Sequence, residues 1–209
     1  MIKVYADYEM FQLGKTDFAG MVDLMYKSIA QYRYSALYAA FMSLDSFLPS
    51  DMKLQTAFSD ATIGAIVEHI ENVKAVTGKD VILVGTRTAV QKLQNTVPYA
   101  IWSGEMKQER HEKGILGMWE GYDCLALDRV NVAGTRTSVF TVDDDKKIFI
   151  LPVDGDFKPI KRVNEGDVVY FERGMQGDMQ DRTIEAAIWY KEGVGVVINE
   201  LFGELIANS

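Results

Sequence analysis

The stretch TDFAGMVDLMYKSIAQYRYSALYAAFMSLDSFL, residues 16–48, decides how the rest of the chain is read. Phe18, Met21, Met25, Ile29, Tyr32 and Ala36 recur at three- and four-residue steps, the repeat of one helix face. A second stripe, Val22, Tyr26, Arg33, Leu37, Phe41, Leu44 and Leu48, runs beside it. Thr16 is expected to cap this helix, and Asp17 to sit in its first turn, where a negative charge suits the helix dipole. No glycine interrupts after Gly20, and Pro49 ends the run. The pattern predicts a helix of about 30 residues, roughly 45 Å long, against a usual length of about 11–12 residues.

Upstream, Val4, Tyr5, Tyr8 and Phe11 within residues 2–13 read as an edge strand or two short strands. Downstream, Ser59 is a good cap for a helix through Ile63, Ile66, Val67, Ile70, Val73 and Val76, which Gly78 terminates. Val81-Ile82-Leu83-Val84 reads as a buried strand, and Gly85-Thr86 opens a short helix holding Val90 and Leu93. Residues 95–114 read as a long polar surface loop with a helical turn. The remainder is strand-rich. Two apolar stretches lie between Leu116 and Val130, and Ser138–Val142 and Lys147–Leu151 flank a turn at Asp143-Asp144-Asp145. Asp167–Arg173 and Arg182–Lys191 flank a loop with Gly174 and Gly177, and Val194–Ile206 reads as one final strand.

The chain has 209 residues, enough for one or two domains with a core that needs no disulfide or metal. Its single cysteine, Cys124, excludes an internal disulfide. A net charge of −8 argues against a dedicated nucleic-acid binder, which normally carries a basic face, and suits an abundant soluble protein. No apolar run approaches the roughly 20 residues that span a bilayer, and Asp7 and Glu9 stand where the core of a signal peptide would lie. Synthesis in the cytosol and no membrane partner are therefore expected.

Residues with catalytic chemistry are sparse. His69 lies among the apolar residues of a helix, and His111 in a charged stretch without the second histidine of a zinc-peptidase helix. Cys124 reads as a small buried hydrophobe. Gly85-Thr86-Arg87-Thr88 follows a strand and opens a helix, so an anion could sit there. It lacks the paired glycines of a dinucleotide site, and helix capping is the simpler role. Asp143-Asp144-Asp145 carries oxygens that suit calcium or magnesium, but three consecutive side chains rarely converge on one ion, so a turn is expected. No cofactor, no metal and no catalytic residue are expected. Tyr99 and Trp102, an aromatic pair in polar surroundings, are the candidate subunit-contact residues.

The order of elements carries a resemblance. Asp181-Arg182-Thr183-Ile184-Glu185-Ala186-Ala187-Ile188-Trp189-Tyr190, then Gly193-Val194-Gly195-Val196-Val197 and the apolar stretch Leu201–Ile206, resembles a set of closing strands. Gly114-Ile115-Leu116-Gly117-Met118-Trp119-Glu120-Gly121-Tyr122 resembles a glycine-framed strand entry. With the long helix ahead of them, the whole chain is similar to the Hong Kong 97 (Johnson) fold of tailed-bacteriophage major capsid proteins. The resemblance implies an α+β fold with a long spine helix, long antiparallel strands and a central α/β axial domain. Residues 1–55 are then a peripheral domain with its spine at about 16–48, residues 56–179 the axial domain, and residues 180–209 return strands completing the peripheral domain. Members carry an N-terminal arm and an extended hairpin, the E-loop, ahead of the spine. Only about 13 residues precede it here, so both are expected to be missing from this chain.

What the resemblance implies of function is a non-enzymatic subunit that self-assembles into hexamers and pentamers of an icosahedral phage head. Such a shell encloses double-stranded DNA without sequence-specific binding and belongs to the virion. Scaffold, portal and decoration proteins are the further partners implied. Two other readings are an encapsulin-type nanocompartment shell, which shares the fold, and a small α/β enzyme or ligand-binding domain built on Val81–Thr88. The last predicts a defined pocket with perturbed ionisable groups.

Overall fold

The computed structural model describes residues 2–15, 17–131, 135–153, 158–173, 183–198 and 200–208. Thr16, the loop at Gly174 and Gly177, and Asp181-Arg182 lie outside the described residues. The chain divides into two compact units. The first comprises Met1–Ala40, Asn131–Thr137 and Ile160–Gly195; the second comprises Phe41–Val130, Ser138–Pro159 and Val196–Ser209. This division differs from the expected segments 1–55, 56–179 and 180–209.

In the first unit, strand β1 (Ile2–Asp7) pairs antiparallel with β8 (Thr183–Val196), Val4 opposite Ala186, and β8 also pairs with β7 (Ile160–Arg173). Helix α2 (Phe18–Met42) covers one face of this sheet. Met21, Met25 and Ile29, one face of α2, meet Ala6, Ala186 and Ile188, which share one face of the sheet. Asp17 is the cap: its Oδ1 accepts the Gly20 N–H at 2.7 Å. The Arg33 guanidinium pairs with Glu192 at 2.7 Å and lies over the Tyr190 ring.

Two expectations change here. The residues after β1 form a short helix, α1 (Tyr8–Gln12), not a second strand. Helix α2 has 25 residues, roughly 37 Å, and stops at Met42 rather than Leu48. Ser43–Phe47 continues as a tighter 3-10 turn, and Leu48, held extended ahead of Pro49, closes it. The later apolar positions of the second stripe, Leu44 and Leu48, are still buried, but in the second unit.

The second unit is built on a mixed six-stranded sheet. It orders β2 (Lys53–Thr56), β9 (Gly203–Ala207), β6 (Lys147–Pro152), β3 (Val81–Thr86), β5 (Tyr122–Leu127) and β4 (Met118–Trp119). Strand β3 is central, parallel to β5 and antiparallel to β6. Successive side chains of β6 point to opposite faces and so serve two cores. Ile148 and Ile150 join Leu83, Leu205, and the Ile66, Ile70 and Val73 stripe of α3 (Ile63–Thr77). Phe149, between them, joins Leu44, Leu48 and Phe202 on the other face. Phe149 meets the Phe41 ring edge-on at 4.9 Å. At Gly203 the sheet passes so close to α3 that an added Cβ would sit 2.5 Å from Val73 Cγ2.

The predicted helix–strand–helix is present. Ser59 donates its N–H to Thr62 Oγ1, a 3-10 turn at Asp60–Thr62 leads into α3, and Gly78 ends α3 with φ 66°. Three other expectations are corrected. Residues 95–114 hold a 3-10 turn at Tyr99–Ile101 and a ten-residue helix, α5 (Gly104–Lys113), because Ser103 caps its start and Gly114 its end. Ser138–Val142 forms no strand, and Asp144–Lys146 is a 3-10 turn leading into β6. The expected final strand, Val194–Ile206, is two: its start finishes β8 in the first unit, and its end is β9 in the second.

Candidate subunit-contact site

Helix α4 (Arg87–Gln94) anchors the segment that carries Tyr99 and Trp102. Gln94 is fully buried. Its side-chain nitrogen donates to the Leu116 carbonyl at 2.7 Å, and its Oε1 accepts the Leu116 N–H at 2.9 Å. Gln91 donates to the Gly114 carbonyl and Arg87 to that of Lys113, so three side chains of one helix hold the end of α5 and the chain after it. Trp119 adds an indole N–H to Thr96 Oγ1 at 3.2 Å.

On this base stands the turn Tyr99–Ile101. Ile101 donates its N–H to the Pro98 carbonyl at 3.0 Å. The Tyr99 and Trp102 rings lie 5.3 Å apart at 54°. A cation from α5 covers each: Lys107 sits 4.7 Å from the Tyr99 centroid, and the Arg110 guanidinium 5.4 Å from that of Trp102. Arg110 is itself fixed by Gln94 Oε1 at 3.1 Å and Asn95 Oδ1 at 2.9 Å. The two candidate residues thus come together but differ in kind. Trp102 is 7% exposed, and its indole N–H meets no acceptor among the described residues. Tyr99 is 64% exposed and Ile101 73%. Trp102 is the floor of the turn, while Tyr99 and Ile101 are what it presents to solvent.

The other sequence candidates are occupied by their own neighbours. Thr86 caps α4, accepting the Ala89 N–H, and its hydroxyl donates to Asp145 Oδ1 at 2.8 Å. Asp145 also takes Arg129 on Oδ2, so the negative charge beside this helix start is the chain's own. A cleft of about 270 Å³ opens there, lined by Arg87, Arg129 and Phe140 among others. Asp144 accepts from the Thr141 N–H and hydroxyl, so Asp144 and Asp145 point to different partners. Burial pushes the Cys124 thiol up to about 12, which leaves it protonated and unreactive at neutral pH. Burial also lowers His69, keeping it neutral.

One polar cluster had no signature in the sequence. Asp45 pairs with Lys53 and Lys147, each at 2.5 Å, and its neighbour is Glu204, which has no exposed surface. Like charges this close disfavour one another, so one of the two carboxyl groups keeps its proton. Neither Glu204 oxygen meets a hydrogen-bond partner among the described residues, and burial, then the adjacent Asp45, pushes Glu204 up to about 8, so Glu204 is the one that keeps it. Burial alone would raise Asp45, but its bonds with Lys147 and Lys53 outweigh that and hold it well below the usual carboxylate range. Among the described residues there is no metal-holding group of His, Cys, Asp and Glu, and no helix long and apolar enough to cross a membrane.

The comparisons with known proteins bear on the whole of this architecture. A family model described as SPbeta prophage-derived putative capsid protein YonB matches residues 1–206. No curated protein matches the chain. Of 22 solved chains that match, one comes from the asymmetric unit of the bacteriophage PhiM1 mature capsid, with a TM-score of 0.63. It is 12% identical, over 99% of this chain and 69% of that one, so the likeness is one of fold. Another, a virus-like particle from Pyrococcus furiosus, is 12% identical with a TM-score of 0.49, over 99% of this chain and 75% of that one.

Proposed function

This chain belongs to the YonB capsid-protein family, and from that premise we propose that it is the repeating shell subunit of an icosahedral phage head. It forms hexamers and pentamers in the Hong Kong 97 manner, encloses double-stranded DNA without reading its sequence, and resides in the virion. The observation that carries this reading is the family match across nearly the whole chain, on a mixed helix-and-sheet fold like that of a phage capsid. In this reading the first unit, with α2 as its spine, is the peripheral domain. The second unit is the axial domain, with boundaries taken from the two compact units rather than from residues 55 and 179. Its role is structural, and scaffold, portal and decoration proteins are its further partners.

Tyr99 then faces a neighbouring subunit at the capsomer axis, with Trp102 and Arg110 holding it in place. An exposed aromatic on a rigid base is the kind of anchor that dominates protein interfaces. Tyr99→Ser should cost no more than about 1–2 kcal/mol in thermal unfolding, since the exposed ring gives up only its contacts with Trp102 and Lys107. It should lower the yield of sedimenting particles at least tenfold. Wild-type particle yield from Tyr99→Ser would remove the residue from the contact.

Nuclease-treated particles from the producing cells test the contents. Protected double-stranded DNA supports the phage head. Particles that hold a protein cargo and no DNA would replace it with the nanocompartment reading.

A further inference from the structure

Aromatic side chains left in water are unevenly shared between the units. Among the described residues, seven exposed aromatic side chains lie in the first unit and two in the second. Much of this excess sits on the β1–β8–β7 sheet. The helix α2 covers only the face that carries Ala6, Ala186 and Ile188. Tyr5 and Trp189, one step along their strands from core residues, point to the opposite face and are 60% and 56% exposed. The outer strand β7 adds Val163, Val169 and Phe171, at alternating positions and all exposed, while Tyr170 between the last two points to the other face. Aromatic side chains bury about 150–250 Å² each, so Tyr5, Trp189 and these three still hold on the order of 500 Å² of apolar surface. That stands in the upper part of the range for the largest apolar patch of a monomer, about 300–600 Å², which is often functional, and is more than half of the roughly 800 Å² per partner of a stable interface.

We propose that this sheet surface, centred on Trp189 and Phe171, is where a second copy of the chain packs in the shell. The proposal rests on the shell reading, which supplies the partner, and on the area, which is more than half of what one protein partner covers. Packing is by side chains and not by adding a strand to the β7 edge. Lys161, Arg162, Glu165 and Asp167 line the first half of β7, and Gly166 breaks its extended backbone with φ 76°, both of which discourage strand addition.

The chain carries its own reporter. It has three tryptophans; Trp102 and Trp119 are 7% and 3% exposed, and Trp189 is 56% exposed. Acrylamide quenching of the dissociated chain should therefore find one accessible tryptophan of three. On assembly that accessible fraction should disappear, and Trp189→Phe should abolish it beforehand while still assembling. The double variant Trp189→Lys, Phe171→Lys should keep the wild-type circular dichroism and raise the concentration needed for assembly at least tenfold.

Shells in which Trp189 stays as quenchable as in the free chain would overturn the proposal and leave the shell reading intact, as would shells of the folded double variant at wild-type concentrations. If the wild type makes no shells but a discrete oligomer that protects Trp189, the shell reading fails and this surface stands. A wild type that stays monomeric overturns both. If the double variant fails to fold, the quenching of the wild type decides alone.

Discussion

Among the described residues, the first unit buries a cluster of six side chains between one helix and a three-stranded sheet, whereas the second buries a cluster of eleven on one face of a six-stranded sheet and a cluster of four on the other. The same chain thus holds a thin layer and a filled core. A filled core supplies its own stability, because each buried apolar side chain contributes about 1.5–3 kcal/mol. A thin layer leaves aromatics in water, and it gains by covering them with a neighbour. The contrast teaches which part of a shell subunit is bound to be stable alone and which part is completed by assembly.

The largest blow should come from Phe149→Ala. The ring is fully buried against Phe41 and Phe202, and its neighbours in β6 serve the other core. A loss of about 3–5 kcal/mol is expected in denaturant unfolding, from lost burial and a cavity. A loss under about 1 kcal/mol would mean the second unit is not the filled core described.

Next comes a test of the buried proton. Glu204 stands at about 8 when folded against an ordinary 4.5, so the folded chain binds a proton that the unfolded chain releases. Its contribution is full below pH 4.5 and is lost as pH rises to about 8. Glu204→Gln keeps the shape and does not titrate. Between pH 5 and 8 its melting temperature should therefore gain on that of the wild type. Parallel curves for the two proteins would show that Glu204 is ionised when folded.

The smallest effect belongs to the first unit. Asp17→Ala removes the cap of α2 and should cost about 1 kcal/mol. In the assembled particle the cost should be the same, because the proposed contact covers the sheet face opposite α2. Hydrogen exchange of residues 18–24, compared between free chain and particle, reads this directly.

The sequence made some of this plain. Pro49, Gly78, Ser59 and Thr86 mark ends and caps whose physics is local, and the stripe Met21, Met25, Ile29 shows its face without tertiary knowledge. Helix α5 has no apolar repeat to betray it, although Ser103 and Gly114 stood as its caps with ten residues between them. Val194–Ile206 reads as one apolar run, yet no local signal says that its two ends join different sheets. At the candidate site, the pair Tyr99 and Trp102 is visible, but which ring is exposed depends on where Arg110 lies. The Asp45–Glu204 contact joins residues from opposite ends of the chain, so no spacing could have announced it.

Electron cryomicroscopy of the purified, concentrated chain tests the central claim most directly. Closed icosahedral shells are expected, with pentamers and hexamers that repeat the six-stranded sheet and α2 in every subunit. A chain that sediments as a monomer at every concentration, with no particles on the grid, would contradict it.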